Sequence, residues 1–235
     1  MRTVVVTDPP RADPEVAAAL GELGTATVHE ALGRAGYLGA SIRPAWAGAR
    51  AGGTAVTALC APGDNLMVHV AVEQCRPGDL LVVVTTSASD DGMFGDLLAT
   101  GLQARGVRGV VVAAGVRDVA DLRAMGFPAW SRAVSAQGTV KATPGAVNVP
   151  VVVGGQVVAP GDVVVGDDDG VVVVPRLGAA PALAAARDRV AREQAAREAF
   201  RNGELGLDRY GLRDRLAGLG IEYVSYADYR AGEAT

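Results

Sequence analysis

A single lysine, Lys141, stands among 235 residues, so 21 of the 22 basic side chains are arginines and Schiff-base chemistry has one candidate. Cysteine is almost as scarce. Cys60 and Cys75 form no CxxC, and His29 and His69 stand forty positions apart, which leaves zinc without a ligand cluster. Both thiols are expected to be buried and inert. No apolar run approaches the roughly 18 residues of a membrane span, and the opening MRTVVVTDPPRADP lacks the long apolar segment of a secretory signal. The expectation is therefore no membrane and a cytoplasmic location. No basic block concentrates the arginines, and the formal charge of −4 argues against nucleic acid as a main partner. A small anionic ligand needs only a local positive site.

At 49% apolar the chain can bury a substantial core as one domain with an appended tail. Asp13-Pro14 opens a helix with Pro at its first position, carrying Val16, Ala17, Leu20 and Leu23 at helical spacing toward Gly24. Thr27-Val28-His29-Glu30 has the pattern of a capping box, and it predicts a short helix ending near Gly33 in which Glu30 is a cap or, alternatively, a pocket residue. Leu80–Thr86 and Val107–Ala114 read as buried strands, each running into a glycine-containing turn. Pro-Gly-Asp recurs at 62–64, 77–79 and 160–162, which suits type II turns and reads as punctuation. Val149–Val153, Gln156–Ala159, Asp162–Gly166 and Val171–Val174 are separated by turns too short for crossover helices, so antiparallel pairing is expected. Asp167-Asp168-Asp169-Gly170 tempts a metal assignment, but acidic residues before Gly are also what a tight hairpin demands, and calcium-loop spacing is absent. Residues 179–202 form a helix with a thin apolar stripe at Leu183, Ala186 and Val190 and an ion-paired surface with Arg189, Glu193 and Arg197 at i, i+4 steps. Helix-linked buried strands flanked by antiparallel ones suggest a layered α/β sandwich.

Asp96, then Arg117-Asp118, is the most informative arrangement. The stretch from Asp96 to Arg105 reads as a helix stopped by Gly106, with Asp96 in its first turn and Arg117-Asp118 just past the next strand. Two carboxylates and a guanidinium can thus share one pocket, since functional groups gather at strand ends. The unpaired first-turn amides at Gly95-Asp96-Leu97-Leu98 favour an anion, and Arg117 can add a charge-assisted contact. Arg117 alone does not offset two aspartates and an anionic ligand. A hard divalent ion such as Mg²⁺ or Mn²⁺ would, and it could chelate a 2-oxo acid and stabilise an enolate. Taken singly, Asp96 can equally be a helix cap, and Arg117-Asp118 an ordinary surface pair. His69 reads either as a satisfied core histidine or as a contact for a distal carboxylate, and Lys141 as structural or substrate-facing.

FGDLLATGLQARGVRGVVVAAGVRDV, MGFPAWSRAVSAQGTVKATPGAVNVPVVVGG and PGDVVVGDDDGVVVVP together resemble the metal-dependent pyruvate aldolases that cleave 4-hydroxy-4-methyl-2-oxoglutarate and 4-carboxy-4-hydroxy-2-oxoadipate. The resemblance runs from about Thr25 to about Val224, and PGDNLMVHVAVEQCRPGD with the tail GELGLDRYGLRDRL is similar to the carboxy-hydroxy-oxoadipate branch. It implies a three-layer β/β/α sandwich of the swivelling-domain kind with mixed sheets, assembled as homotrimers or homohexamers. Residues 1–175 would be the catalytic domain, and 176–235 a C-terminal helical extension packing on a neighbouring subunit. It further implies that Asp118 binds Mg²⁺, Mn²⁺ or another divalent cation directly. Asp96, and Glu193 from a neighbouring subunit, would hold the ion through water. The pyruvyl carboxylate would lie on the backbone of Gly95, Asp96, Leu97 and Leu98, with Arg117 contacting substrate and enolate. The implied substrate is a 4-hydroxy-2-oxo di- or tricarboxylic acid, and oxaloacetate decarboxylation is an implied side activity. The same family contains the regulator of ribonuclease activity A, a non-catalytic protein-binding regulator lacking the Arg-Asp pair that is present here. Gly101 inside the substrate-binding helix and Pro144 in the KAT-x-G segment depart from the family pattern without touching the motif. Relatives labelled methyltransferases are discounted because no glycine-rich nucleotide loop follows an early strand.

Overall fold

The computed structural model describes residues 3–232. In chain order the elements are β1 (Val4–Val5), α1 (Pro14–Leu23), α2 (Thr25–Ala31), β2 (Arg43–Pro44), β3 (Ala51–Cys60), α3 (Leu66–Gln74), β4 (Asp79–Thr85), β5 (Gly92–Phe94) and α4 (Asp96–Ala104). There follow β6 (Val110–Val116), α5 (Val119–Ala124), β7 (Ala129–Val134), β8 (Ala146–Val147), β9 (Val151–Val153), β10 (Gln156–Val158), β11 (Val163–Asp167), β12 (Gly170–Val174) and α6 (Ala179–Arg201). Three short helices close the chain: α7 (Gly206–Arg209), α8 (Leu212–Gly218) and α9 (Tyr226–Gly232).

One mixed sheet organises the molecule. β3, β4, β6 and β7 run parallel, linked by α3, α4 and α5, while β11, β8 and β2 pair antiparallel to them. β3 is long enough to serve two partners: Thr54–Cys60 pair with β4 and Ala51–Thr54 with β11. Alternation then sorts the valines by face. Leu81, Val83, Val110 and Val112 meet Val68, Ala71, Ala99, Leu102 and Leu122 of the three crossover helices. Leu80, Val82 and Val111 turn the other way, onto Val151, Val153, Val164, Val171, Val173 and Trp130. These two cores are the β/β/α layers expected of the mixed α/β fold. A third core covers the outer side of the β11–β12 hairpin, where Ala17, Leu20, Val28, Ala182 and Leu183 of α1, α2 and α6 cover Val163, Val165, Val172 and Val174. α1 can approach β3 this closely because Gly21 faces Gly52; a Cβ on Gly21 would lie 2.6 Å from the Gly52 nitrogen.

Local chemistry accounts for most element ends. Asp13 caps α1 through the Glu15 amide at 2.8 Å, and Gly106, with φ 74°, ends the α4 turn. The hairpin over Asp167–Gly170 forms as the turn residues require, with Asp167 paired to Gly170. The expected capping box does not form. α2 begins at Thr25, and its first amide and hydroxyl donate to the Asp167 carboxylate, the amide at 2.8 Å. With the cap supplied from the hairpin, Glu30 lies in the last turn of α2 and pairs with Arg34 at 3.1 Å and Arg189 at 3.5 Å.

The chain divides into two compact units, one reaching Val190 and the other starting at Ala191. The expected boundary after residue 175 falls earlier than this, because Ala179, Ala182, Leu183 and Ala186 on the first half of α6 are buried and belong to the first unit. Within the second unit Arg209 pairs with Glu204 at 3.1 Å, and Phe200 meets Tyr210 edge-on at 6.1 Å between ring centroids. No helix among the described residues is long and apolar enough to cross a membrane.

Candidate active site

β5 explains why Asp96 and Asp118 meet. It pairs in parallel with the end of β6, Gly92 opposite Gly115 and Phe94 opposite Val116, so the residues that follow each strand emerge side by side. The Arg117 amide donates to the Phe94 carbonyl at 2.9 Å. The sequence points to the strand over Leu80–Thr86 as the approach to Asp96; a three-residue strand that begins at Gly92 and is followed by Gly95 carries too little periodicity to be read.

At this junction the Asp118 carboxylate accepts the Asp96 amide at 3.3 Å and Arg117 Nε at 3.2 Å, both on Oδ2. No hydrogen bond from the described residues goes to Asp118 Oδ1 or to the Asp96 carboxylate. Asp118 adopts a left-handed backbone, φ 56° and ψ 38°, at a cost of roughly 1–2 kcal/mol for a residue with a Cβ. Gly95 is extended, and a Cβ on it would collide with Asp118 Oδ2 and lie 3.1 Å from Arg117 Cγ. Its role is to leave room for the aspartate. With the Asp96 amide engaged, Leu97 and Leu98 carry the first-turn N–H groups of α4 that remain open to an anion.

These groups line one open cavity of about 220 Å³. Gly95, Asp96, Leu97, Leu98, Arg117 and Asp118 all contribute to it, as do three residues that sequence reading left undecided or passed over: Asn65, His69 and Lys141. His69 is exposed rather than a core histidine. Partial burial, and then the nearby Lys141 ammonium, hold its pKa below the ordinary value, so the imidazole is neutral at pH 7. Glu193 belongs to the second unit, on α6, where it pairs with Arg197 at 3.1 Å. Cys60 and Cys75 are buried free thiols whose pKa burial pushes up to about 12, each also raised by a nearby aspartate.

Charge in the cavity decides what it accepts. Asp96 and Asp118 are offset by Arg117 and Lys141, so a dicarboxylate ligand brings two uncompensated negative charges, which one divalent cation neutralises. Among the described residues no three His, Cys, Asp or Glu side chains gather, so an ion here would complete its shell with water and ligand oxygens. The Asp96 carboxylate and Asp118 Oδ1, which accept no hydrogen bond from the described residues, offer oxygen donors without sulfur and fit a hard, oxygen-seeking ion.

A mixed α/β fold whose acid–guanidinium site sits where two parallel strands end defines the class. The RraA-like family, described as Aldolase/RraA, matches residues 25–173, and the chain belongs to it. A protein of Halalkalibacterium halodurans named "putative 4-hydroxy-4-methyl-2-oxoglutarate aldolase" is 30% identical over 79% of this chain and 89% of its own length. A protein of the same name from Burkholderia multivorans is 35% identical over 61% of this chain and 87% of its own. Among solved structures, Streptomyces coelicolor RraAS2, described as an unusual member of the RNase ES inhibitor RraA family, superposes with a TM-score of 0.72 at 31% identity, covering 81% of this chain and 99% of that one.

Proposed function

We propose that this protein is a divalent-metal-dependent pyruvate aldolase. Its substrates would be 4-carboxy-4-hydroxy-2-oxoadipate, cleaved to pyruvate and oxaloacetate, and 4-hydroxy-4-methyl-2-oxoglutarate, cleaved to two pyruvates. The observation that carries the reading is the convergence of Asp96, Arg117, Asp118 and the start of α4 on one cavity. The names of the two aldolase relatives support it.

The substrate's 2-oxo carboxylate lies on the Leu97 and Leu98 amides, and Arg117 faces the keto oxygen. Mg²⁺ or Mn²⁺, held by Asp118 directly and by Asp96 through water, would supply Lewis acidity at the carboxylate and keto oxygens. The C4 hydroxyl loses its proton to a base, a water held by Asp96. The C4–O electrons form the new carbonyl, the C3–C4 pair becomes the C2=C3 double bond of the enolate, and the C2 carbonyl π pair moves onto its oxygen. Arg117 stabilises that developing oxyanion, and protonation at C3 releases pyruvate. Oxaloacetate would lose CO₂ through the same enolate. The assembly in this reading is a homotrimer or homohexamer, with the C-terminal helical part beyond Val190 packing on a neighbouring subunit and contributing Glu193 to that subunit's site.

Coupled pyruvate release with Mg²⁺ against an EDTA control is the test. Asp118→Ala should abolish turnover, and Arg117→Ala should lose most of kcat. Full activity in Asp118→Ala, or turnover indifferent to EDTA with pyruvate trapped on Lys141 by borohydride, rejects the metal mechanism. A second reading, a non-catalytic protein-binding regulator, draws on the similarity to the RraAS2 structure. Absence of pyruvate release from every 4-hydroxy-2-oxo acid would favour it.

A further inference from the structure

The only lysine of the chain, Lys141, stands in the cavity. It is exposed, and its ammonium makes no hydrogen bond or ion pair among the described residues. Cys60 and Cys75 are buried, so Lys141 is the one amine or thiol side chain open to solvent among those residues. The other 21 basic side chains are arginines, which stay protonated and do not attack acyl groups. The mechanism above gives the amine no part.

The backbone holds this amine in one place. Asp64, 2% exposed, accepts the Ala142 and Thr143 amides at 2.9 and 2.6 Å and the Leu66 amide at 2.9 Å, so one buried carboxylate ties the lysine segment to the start of α3. The Asn65 amide donates to the Val140 carbonyl at 3.0 Å and fixes the segment on the other side of Lys141. His69, one helical turn beyond Asn65, lines the same cavity, and its neutral imidazole is close enough to feel the Lys141 charge. An amine, a neutral imidazole and the Arg117 guanidinium thus face one open volume of about 220 Å³. Together they suit group transfer: a guanidinium fixes a phosphate, and an imidazole removes the proton that an attacking amine must lose.

We propose that Lys141 is a self-acylation site, at which a small acyl phosphate entering the cavity converts the amine to an N-acyl-lysine and closes the cavity to anionic ligands. Arg117 pairs with the phosphate group, which leaves the acyl carbon facing Lys141. Nζ in its free-base form attacks that carbon. The bond between the acyl carbon and the phosphate oxygen breaks, and its electron pair leaves with inorganic phosphate. The proton carried by the attacking nitrogen passes to His69 and from there to water. A short acyl phosphate suits the volume, whereas the nucleotide of a coenzyme A thioester does not fit it. The product replaces an ammonium by a neutral amide. Asp96 and Asp118 are then offset by Arg117 alone, and the acyl group fills part of the space, so an anionic ligand is both repelled and crowded. In the aldolase reading, on which only this consequence rests, acylation is an off state set by the supply of activated acyl groups.

Acetyl phosphate is the probe, with free Nα-acetyllysine in the same tube as the reference amine and tryptic peptide masses as the readout. Lys141 should be acetylated about tenfold faster than the reference or more, at a rate that saturates with acetyl phosphate and falls when inorganic phosphate is added. Arg117→Ala and His69→Gln should each slow the acetylation of Lys141 about tenfold, with melting temperatures close to the parent's. A wild-type rate equal to the reference and linear in donor concentration would overturn the proposal without recourse to any variant. Variants that react as fast as wild type would overturn it too. Pyruvate release, measured on the same samples, should fall in proportion to the fraction of Lys141 acetylated, while Lys141→Arg should lose no further activity on the same treatment. Undiminished release at full acetylation would overturn the off state. A protein that releases no pyruvate before treatment removes the aldolase reading alone, because the acetylation rates are read by mass.

Discussion

Gly95 shows how little tolerance the site has at the level of single atoms. Its extended backbone accepts any residue, yet a methyl group there would enter the space of the Asp118 carboxylate. Gly95→Ala should therefore lower kcat/KM by about 100-fold or more, with a melting temperature close to that of the parent. A large loss of stability would mean that Gly95 serves the fold rather than the site. Asp118 carries the reverse bargain, a strained left-handed backbone retained for its carboxylate. Asp118→Gly should melt at the same temperature or higher, since Gly relieves roughly 1 kcal/mol of strain, while pyruvate release is lost. Melting well below the parent would show that the carboxylate's bonds to Asp96 and Arg117 stabilise the fold more than the strain costs.

At the scale of elements, the three Pro-Gly-Asp turns carry more than punctuation. Gly63, Gly78 and Gly161 all have positive φ, as type II turns require, but the aspartate after each is buried and bonded. Asp79 accepts the Arg76 amide and ties in Thr54 and Arg11; Asp162 accepts the Ala159 and Arg176 amides; Asp64 holds the lysine segment to α3. Burial pushes the Asp64 pKa up, but hydrogen bonds from Leu66, Ala142 and Thr143 together outweigh it and leave the carboxyl below its ordinary value. A depressed folded-state pKa means that its stabilisation is fully present above the unfolded value of about 3.9 and fades as pH falls through the folded one. The stability gap between wild type and Asp64→Asn should accordingly be constant from pH 5 to 7 and shrink below about pH 4, measured by urea unfolding at each pH; a gap flat down to pH 2 would contradict the shift. Gly101 in α4 faces open space. Gly101→Ala should thus add about 0.5–1 kcal/mol, some 1–4 °C in melting temperature, with kcat unchanged; a fall in kcat would show that motion of α4 matters to turnover.

For the whole molecule, the proposal that Glu193 serves a neighbour's site has a direct test. Arg117→Ala and Glu193→Ala, each weak alone, should regain activity when subunits are mixed and reassembled, because some interfaces then combine an intact cavity with an intact glutamate. Activity no higher than the average of the two parents would place Glu193 outside the site. Light scattering on the full chain should give a trimer or a multiple of one, and a monomer at assay concentration would remove the shared site.

The valine strands, the helix from Asp96 to the Gly106 stop, the hairpin over Asp167–Gly170 and the grouping of Asp96 with Arg117-Asp118 are legible in the sequence itself. Period, turn chemistry and capping act over a few residues, and each leaves a local mark. What only the tertiary structure decided are relations between distant segments. Asp167 reaches back to cap α2, β5 aligns Gly95 with Asp118, and the backbone around Asp64 carries Lys141 to the mouth of α3 beside Asn65 and His69. Such contacts depend on how the sheet folds over its two cores, and no periodicity in a linear chain encodes which buried carboxylate meets which amide.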